Sequence, residues 1–253
     1  MFFTILTQPL LNILLFFVWL VPGNDLGVAI ILLTITLRLV LYPLTIFAAR
    51  SQGAMQRIQP QLNAIKAKHK DSKEKQFEAM MALYRQEGVS PVSMLLGNFV
   101  LLAVQLPILI AMFRLFHNGV TQELTSALYS FMPQVSHIST HFLGIVDLTR
   151  ASIPLAVLAG VAQFFQVRIA AKKMAVPLEK GSFAATFQQQ SQYIFPAFTI
   201  FIALNLPAAL PLYWLVFTLL ALADDVWLKN LWAAAPASTP AVSSGEANSK
   251  QPA

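Results

Sequence analysis

The sequence predicts an all-α polytopic membrane protein with five transmembrane helices, an N-terminal interfacial helix and a cytoplasmic helical hairpin. Three observations carry this. Of the 253 residues, 57% are hydrophobic and 11% charged, against roughly 25% charged in soluble domains. The apolar residues collect in runs approaching the length a bilayer requires, about 17 to 25 residues per helix. The positive charge is also sorted: among 17 Lys and Arg residues, all but Arg38, Arg114 and Arg150 fall in 50–85, 168–180 or the end from Lys229 onward. Lysine and arginine near span ends mark the cytoplasmic side.

Residues 1–22 form the first unit. No lysine or arginine precedes Arg38, so the positive region of a cleaved signal peptide is missing. The apolar run from Ile13 to Val21 is short for a crossing, which predicts a helix lying at the outer interface; a sixth span is the alternative. Five spans follow within a membrane unit of residues 23–232: about Leu26 to Phe47, Val92 to Phe116, Ser152 to Ala171, Gln192 to Leu206 and Leu212 to Leu228. An odd count with this charge pattern puts the N-terminus outside and the C-terminus in the cytoplasm. Pro207 and Pro211 break helix between the last two spans and predict a tight hairpin there. These spans are short, which thins the bilayer locally. The stretch 233–253 is rich in Ala, Ser and Pro without apolar periodicity and reads as a disordered cytoplasmic tail.

Residues 50–90 differ in kind. Met55, Ile58, Leu62 and Ile65 recur at helical spacing, as do Phe77, Met80, Met81 and Tyr84, so two amphipathic helices are predicted. Asp71 with Glu74 resembles a capping box opening the second helix, His69 to Ser72 supplies the turn, and Gly88 ends it. Such a hairpin either rests on anionic lipid or docks a client chain or partner.

Arg38 is the strongest functional signal. It stands inside the first apolar run with no acidic residue in that run to neutralise it, at a depth of roughly 18 Å from the run's start at 1.5 Å per residue. A mid-membrane arginine costs about 2.5 to 3.5 kcal/mol on insertion scales, so it usually faces water, a bundle interior or a partner; the bland alternative is snorkelling to the headgroups. Thr34, Arg38, Tyr42 and Thr45 share one side of a straight helix. Asn98 with Gln105, and Gln163 with Gln166, add polar positions from two further spans. Each glutamine alone is commonly interhelical glue, worth about 0.6 kcal/mol. Together with a fixed charge they point to a water-filled cavity, which Trp214 either lines or packs beside. Asp224 and Asp225 read as interfacial, and Asp225, on the face of Trp214, is the candidate partner for Arg38.

Catalytic signals are weak. There is no cysteine and no phosphate-binding glycine motif, and His137 and His141 have Ile138 where a metalloprotease helix would carry glutamate. No cofactor or metal is implied.

The order of Ile31–Arg38, Leu41–Thr45, Gln105–Ile108, Phe142–Ile145 with Asp147–Leu148, Pro154–Phe164, and Leu206–Ala208 with Leu212–Trp214 resembles the YidC/Oxa/Alb family of membrane-protein insertases. In particular it is similar to short bacterial-type YidC without a large external domain. The resemblance implies a core of five helices around a hydrophilic groove, open to the cytosol and to lipid, with Arg38, Gln163 and Trp214 on the family's groove-lining positions; the polar positions of the spans add Thr34, Gln105 and Asn98 as further candidates for the same groove. It implies an insertase and intramembrane chaperone of the bacterial inner membrane rather than an enzyme. Its partners would be newly made membrane proteins and the phospholipid membrane, with a Sec translocase and the ribosome as further candidates, and no nucleic acid. The tail carries only Lys250 as a basic residue beyond Lys229, which argues against ribosome docking through it. Two other classes compete: a small transporter or channel for an anionic solute, for which no internal repeat is found, and a structural subunit of a translocation complex.

Overall fold

The computed structural model describes residues 2–89, 106–110, 112–113, 128–133, 135, 137–173 and 183–227. They are mostly helical: α1 (Phe2–Leu20), α2 (Leu26–Val40), α3 (Tyr42–Lys68), α4 (Lys73–Gln86), α5 (Ile153–Lys173), α6 (Phe183–Ala203) and α7 (Ala209–Trp227). Between α4 and α5 lies a small antiparallel ribbon of β1 (His141–Phe142) and β2 (Val146–Asp147), in register His141 with Asp147 and Phe142 with Val146. Most of the span predicted over 92–116 and the tail 233–253 lie outside the described residues. Residues 106–110 and 112–113 are helical and lend Ile108 and Met112 to the core.

Leu10, Leu14 and Val18 follow one another at helical spacing on α1 and are buried with Leu11 and Leu15. They join Leu26, Ile30 and Leu33 of α2 and Leu210 and Tyr213 of α7 in one apolar core, so α1 belongs to the main body of the molecule. Asn12 is also buried; its Oδ1 accepts from the Tyr129 N–H at 2.9 Å and its Nδ2 donates to the Gln8 carbonyl at 2.8 Å. Neighbouring helices run α1, α2, α7, α5, α6, each packing on the next.

The first predicted span is not one straight helix. Pro43 cannot donate a backbone hydrogen bond, and its ring disfavours helical geometry just before it. α2 accordingly ends at Val40, Pro43 sits in the opening turn of α3, and the pair is bent by 54°. α3 then continues to Lys68, joining the end of the first apolar run to the basic segment without interruption.

α6 starts at Phe183, well before the predicted Gln192, because hydropathy misses the polar opening turns that Ala and Gln allow to stay helical. The connection to α7 is 204–208, and Pro211 stands inside the first turn of α7, where its missing N–H costs nothing.

α5 from Ile153 to Ala171 and α7 from Ala209 to Trp227 are each long and apolar enough to cross a membrane, and the bent α2–α3 pair makes a third crossing if taken as one span. The outward faces of α5 and α6 display Val157, Leu158, Val161 and Phe165, and Ile194, Phe198 and Phe201. An apolar surface of this extent suits lipid rather than water.

α5 and α6 lie close together at Gly160. A Cβ there would overlap the Ile200 side chain and lie 3.2 Å from the Pro196 carbonyl oxygen. Gly160→Leu must therefore push the helices apart, at a cost of about 1 to 3 kcal/mol for overpacking. The expected result is a lower melting temperature in detergent, partly restored by Ile200→Ala; an unchanged melting temperature would show that the two helices separate freely.

At the start of α2 the chain is tied to 137–148. The Leu26 N–H donates to the Ser139 carbonyl and the Ser139 N–H to the Asn24 carbonyl, both at 3.0 Å. The Ala208 N–H donates to the Arg150 carbonyl at 2.8 Å and the Ala209 N–H to the Leu148 carbonyl at 3.2 Å, which fastens the entry of α7 to the same segment. This end of the bundle is the one the charge pattern assigns to the outside.

Candidate functional site

Arg38 lies in the last turn of α2 and Asp224 near the end of α7, two helices that pack together. The Arg38 Nε donates to Asp224 Oδ2 at 2.7 Å, and Nη2 of the same guanidinium meets that same oxygen at 2.5 Å. On another side the guanidinium carbon stands 5.1 Å from the centre of the Phe217 ring, a cation–π contact. The two side chains are only 13% and 11% exposed.

A charged residue in an apolar run with no acid beside it reads as a guanidinium kept charged by water; instead Arg38 is neutralised by a carboxylate from another helix, and the partner is Asp224, which is buried, rather than Asp225. The reason lies in helical register. Asp225 shares the azimuth of Trp214, but the guanidinium lies against Phe217, and the residue two turns beyond Phe217 on the same face is Asp224.

The other predicted groove residues are placed as follows. Trp214 is half-buried and packs on the main apolar core. Gln163 is half-buried on α5, beside the buried Ala159 and Ala162. Thr34 is buried, and its hydroxyl donates to the Ile30 carbonyl one turn back at 2.6 Å. Tyr42 and Thr45 fall on α3, beyond the bend, so the polar stripe drawn on a straight helix is interrupted after Arg38. Asn98 and Gln105 lie outside the described residues.

α3 and α4 pack as a helical pair joined by the turn 69–72. Ile58, Leu62 and Leu83 form its buried centre, with Met55, Ile65, Met80, Tyr84 and Val89 around them. Burial pushes the Tyr84 phenol above its usual pKa. Met81 is half-buried, while Phe77 is turned outward and is 64% exposed. The cap of α4 is Ser72 rather than Asp71: its hydroxyl accepts from the Lys75 N–H at 3.4 Å. Gly88 takes the left-handed conformation, φ +62°, just past the end of α4, the role that glycine fills at helix C-termini.

In the 137–150 segment, the Thr149 hydroxyl donates to Asp147 Oδ1 at 2.6 Å and the Thr149 N–H to the same oxygen at 3.0 Å. These bonds, ahead of the nearby His141 and Arg150, hold the Asp147 carboxyl below the usual range. Among the described residues no three His, Asp or Glu side chains converge as a metal site requires. His137 participates through its carbonyl, which accepts from Asn24 Nδ2 at 2.8 Å.

Apolar crossing-length helices, a lipid-compatible outer face and an ion pair held between two core helices define a polytopic membrane protein with a charged element in its interior. The family model described as 60Kd inner membrane protein matches residues 18–235, and the chain belongs to this family, the YidC/Oxa/Alb family. The membrane protein insertase YidC of Pelobacter propionicus is 32% identical over 230 residues, covering 90% of this chain and 39% of that protein. The membrane protein insertase MisCA of Bacillus subtilis is 32% identical over 230 residues, covering 87% of this chain and 76% of that protein. The chain thus spans well under half the length of the first relative and about three-quarters of the second.

Proposed function

We propose that this protein is a membrane-protein insertase and intramembrane chaperone of the bacterial inner membrane. Five spans enclose a hydrophilic groove open to the cytosol and to lipid, with the N-terminus outside and the C-terminus in the cytoplasm. Polar segments of newly made membrane proteins enter the groove, and their apolar segments slide past the outer faces of the spans into lipid. No bond is made or broken; the protein lowers the barrier to moving hydrated groups into the bilayer. The α3–α4 pair, with Phe77 outward on α4, serves as the cytosolic docking element, at which a ribosome or Sec translocase would meet the chain.

The observation that carries this reading is the Arg38–Asp224 pair. A buried ion pair contributes little to stability compared with an apolar replacement of similar volume, so its presence between α2 and α7, two largely apolar helices, calls for a use. Polar and ionisable groups at membrane depth mark paths for polar cargo, and relatives that share most of this chain carry the name insertase. Because Arg38 is paired, a bare guanidinium is no part of the mechanism; the charged element is the pair, with half-buried Gln163 and Trp214 as the groove's other contributors.

A photocrosslinking residue in place of Gln163, presented with ribosome-stalled nascent chains of a single-span membrane protein, tests this. A discrete adduct between the protein and the nascent chain is expected. Adducts to lipid or to other membrane subunits alone, with no nascent chain, would remove the groove reading.

A further inference from the structure

We infer that Asp224 is a positioning and selectivity residue: it occupies the Arg38 guanidinium in the resting protein and is exchanged for an acidic group of the incoming client. The inference rests on the insertase reading above and adds a specific role for one carboxylate.

Three features point to an exchangeable contact rather than a permanent clasp. First, both guanidinium nitrogens, Nε and Nη2, meet the single oxygen Oδ2 of Asp224. The strongest arginine–carboxylate geometry instead uses two parallel bonds to two oxygens. An arriving carboxylate can adopt that fork, so it has something to gain over the resident one. Second, the pair stands beside a bend. α2 ends at Val40 and α3 departs at 54°, so the backbone next to Arg38 has a ready point of movement. Third, the pair lies close to the surface of the protein. Leu39 and Val40 follow Arg38 and are exposed, as are Val226 and Trp227 just after Asp224. The displaced carboxylate therefore has a short route out of the core along the final turn of α7, while Phe217 stays against the guanidinium and holds it in place.

A resident anion also explains how a buried arginine can be selective. Neutral polar segments cannot replace the Asp224 charge, so they leave the pair closed. Acidic segments can, and admission then depends on the difference in affinity between the two carboxylates, which is the only quantity that shifts such an equilibrium.

The test uses the full-length protein in a strain depleted of its own insertase, with two single-span reporter clients. One has two aspartates in the translocated tail, and in the other both are asparagine. Asp224→Asn should raise the ratio of aspartate-tail to asparagine-tail insertion by about threefold or more, because the guanidinium no longer has a competing charge. Asp224→Glu should keep the ratio near that of the parent. A ratio that stays level or falls in Asp224→Asn overturns the inference, since a merely structural bridge would affect both clients alike.

A second measurement leaves the pair intact. A photocrosslinker in place of Ala221, which is half-buried about one turn before Asp224, should capture the aspartate tail in preference to the asparagine tail, and equal capture also overturns the exchange. Failure of the insertase reading shows separately, as absence of any nascent-chain adduct from position 163.

Discussion

Arg38→Ala is expected to destabilise the folded protein by about 3 to 5 kcal/mol, the range for removing one partner of a buried ion pair. The cost comes less from the lost attraction than from what remains: Asp224, buried near the end of α7, would be left with no guanidinium facing it. A pair at the surface would be worth only about 0 to 1 kcal/mol, but these side chains are 13% and 11% exposed, so the buried case applies. The double variant Arg38→Ala with Asp224→Ala should recover most of the loss, because two alanines leave a cavity but no stranded charge. Melting temperature in detergent and the amount of protein accumulating in membranes report both effects, and the double-mutant cycle isolates the coupling. The pair would have to be regarded as solvated if Arg38→Ala alone proved as stable as the parent. The recovered double variant is also informative for function, since it should remain poor at inserting acidic clients and so separates stability from the work of the charge.

How far the sequence reveals this arrangement depends on the range of each interaction. α5 and α7 are legible because their apolar runs are bounded by proline, by charge or by the end of a span, and such signals are local. The bend after Val40 is also legible in principle, since Pro43 restricts the residue before it, but an unbroken apolar run obscures a kink. The early start of α6 at Phe183 is hidden because Gln and Ala form helix without raising hydropathy. The Arg38–Asp224 contact joins residues 186 positions apart and depends on the azimuth at which α2 meets α7, which periodicity within either helix cannot supply. Choosing Trp214 as the reference on α7 leads to Asp225; choosing Phe217 leads to Asp224. The role of Asp25 is likewise out of reach, because it reaches a segment more than a hundred residues away.

Asp25 supports the second large effect. Its Oδ1 accepts from the N–H groups of Gly27 at 2.8 Å and Val28 at 3.1 Å, capping α2, and its Oδ2 accepts from the Leu143 N–H at 2.7 Å. One carboxylate therefore satisfies the start of a core helix and anchors the turn between β1 and β2. Leu143 has φ +51°, a left-handed conformation unfavourable for a branched side chain, and the bond to Asp25 helps hold it there. Phe142 packs so close to α2 that a Cβ on Gly27 would overlap its ring, which leaves little room for the turn to move without losing that contact. Asp25→Ala should cost about 3 kcal/mol, combining a lost cap of about 1 kcal/mol with a lost charge-assisted bond of about 1.5 to 3 kcal/mol. Asp25→Asn can keep its oxygen toward Gly27 and Val28 but presents an amide N–H to the Leu143 N–H, so it should lose only the second part. Thermal unfolding of the purified protein should therefore rank the parent above Asp25→Asn and Asp25→Ala lowest. Protease added from the external side should cut within 137–150 faster in both variants. If the two substitutions were equally harmful, the cap on α2 would carry no separate weight; if Asp25→Asn matched the parent, the bond to Leu143 would be dispensable and the backbone ties of Ser139, Ala208 and Ala209 would hold this end of the bundle without it.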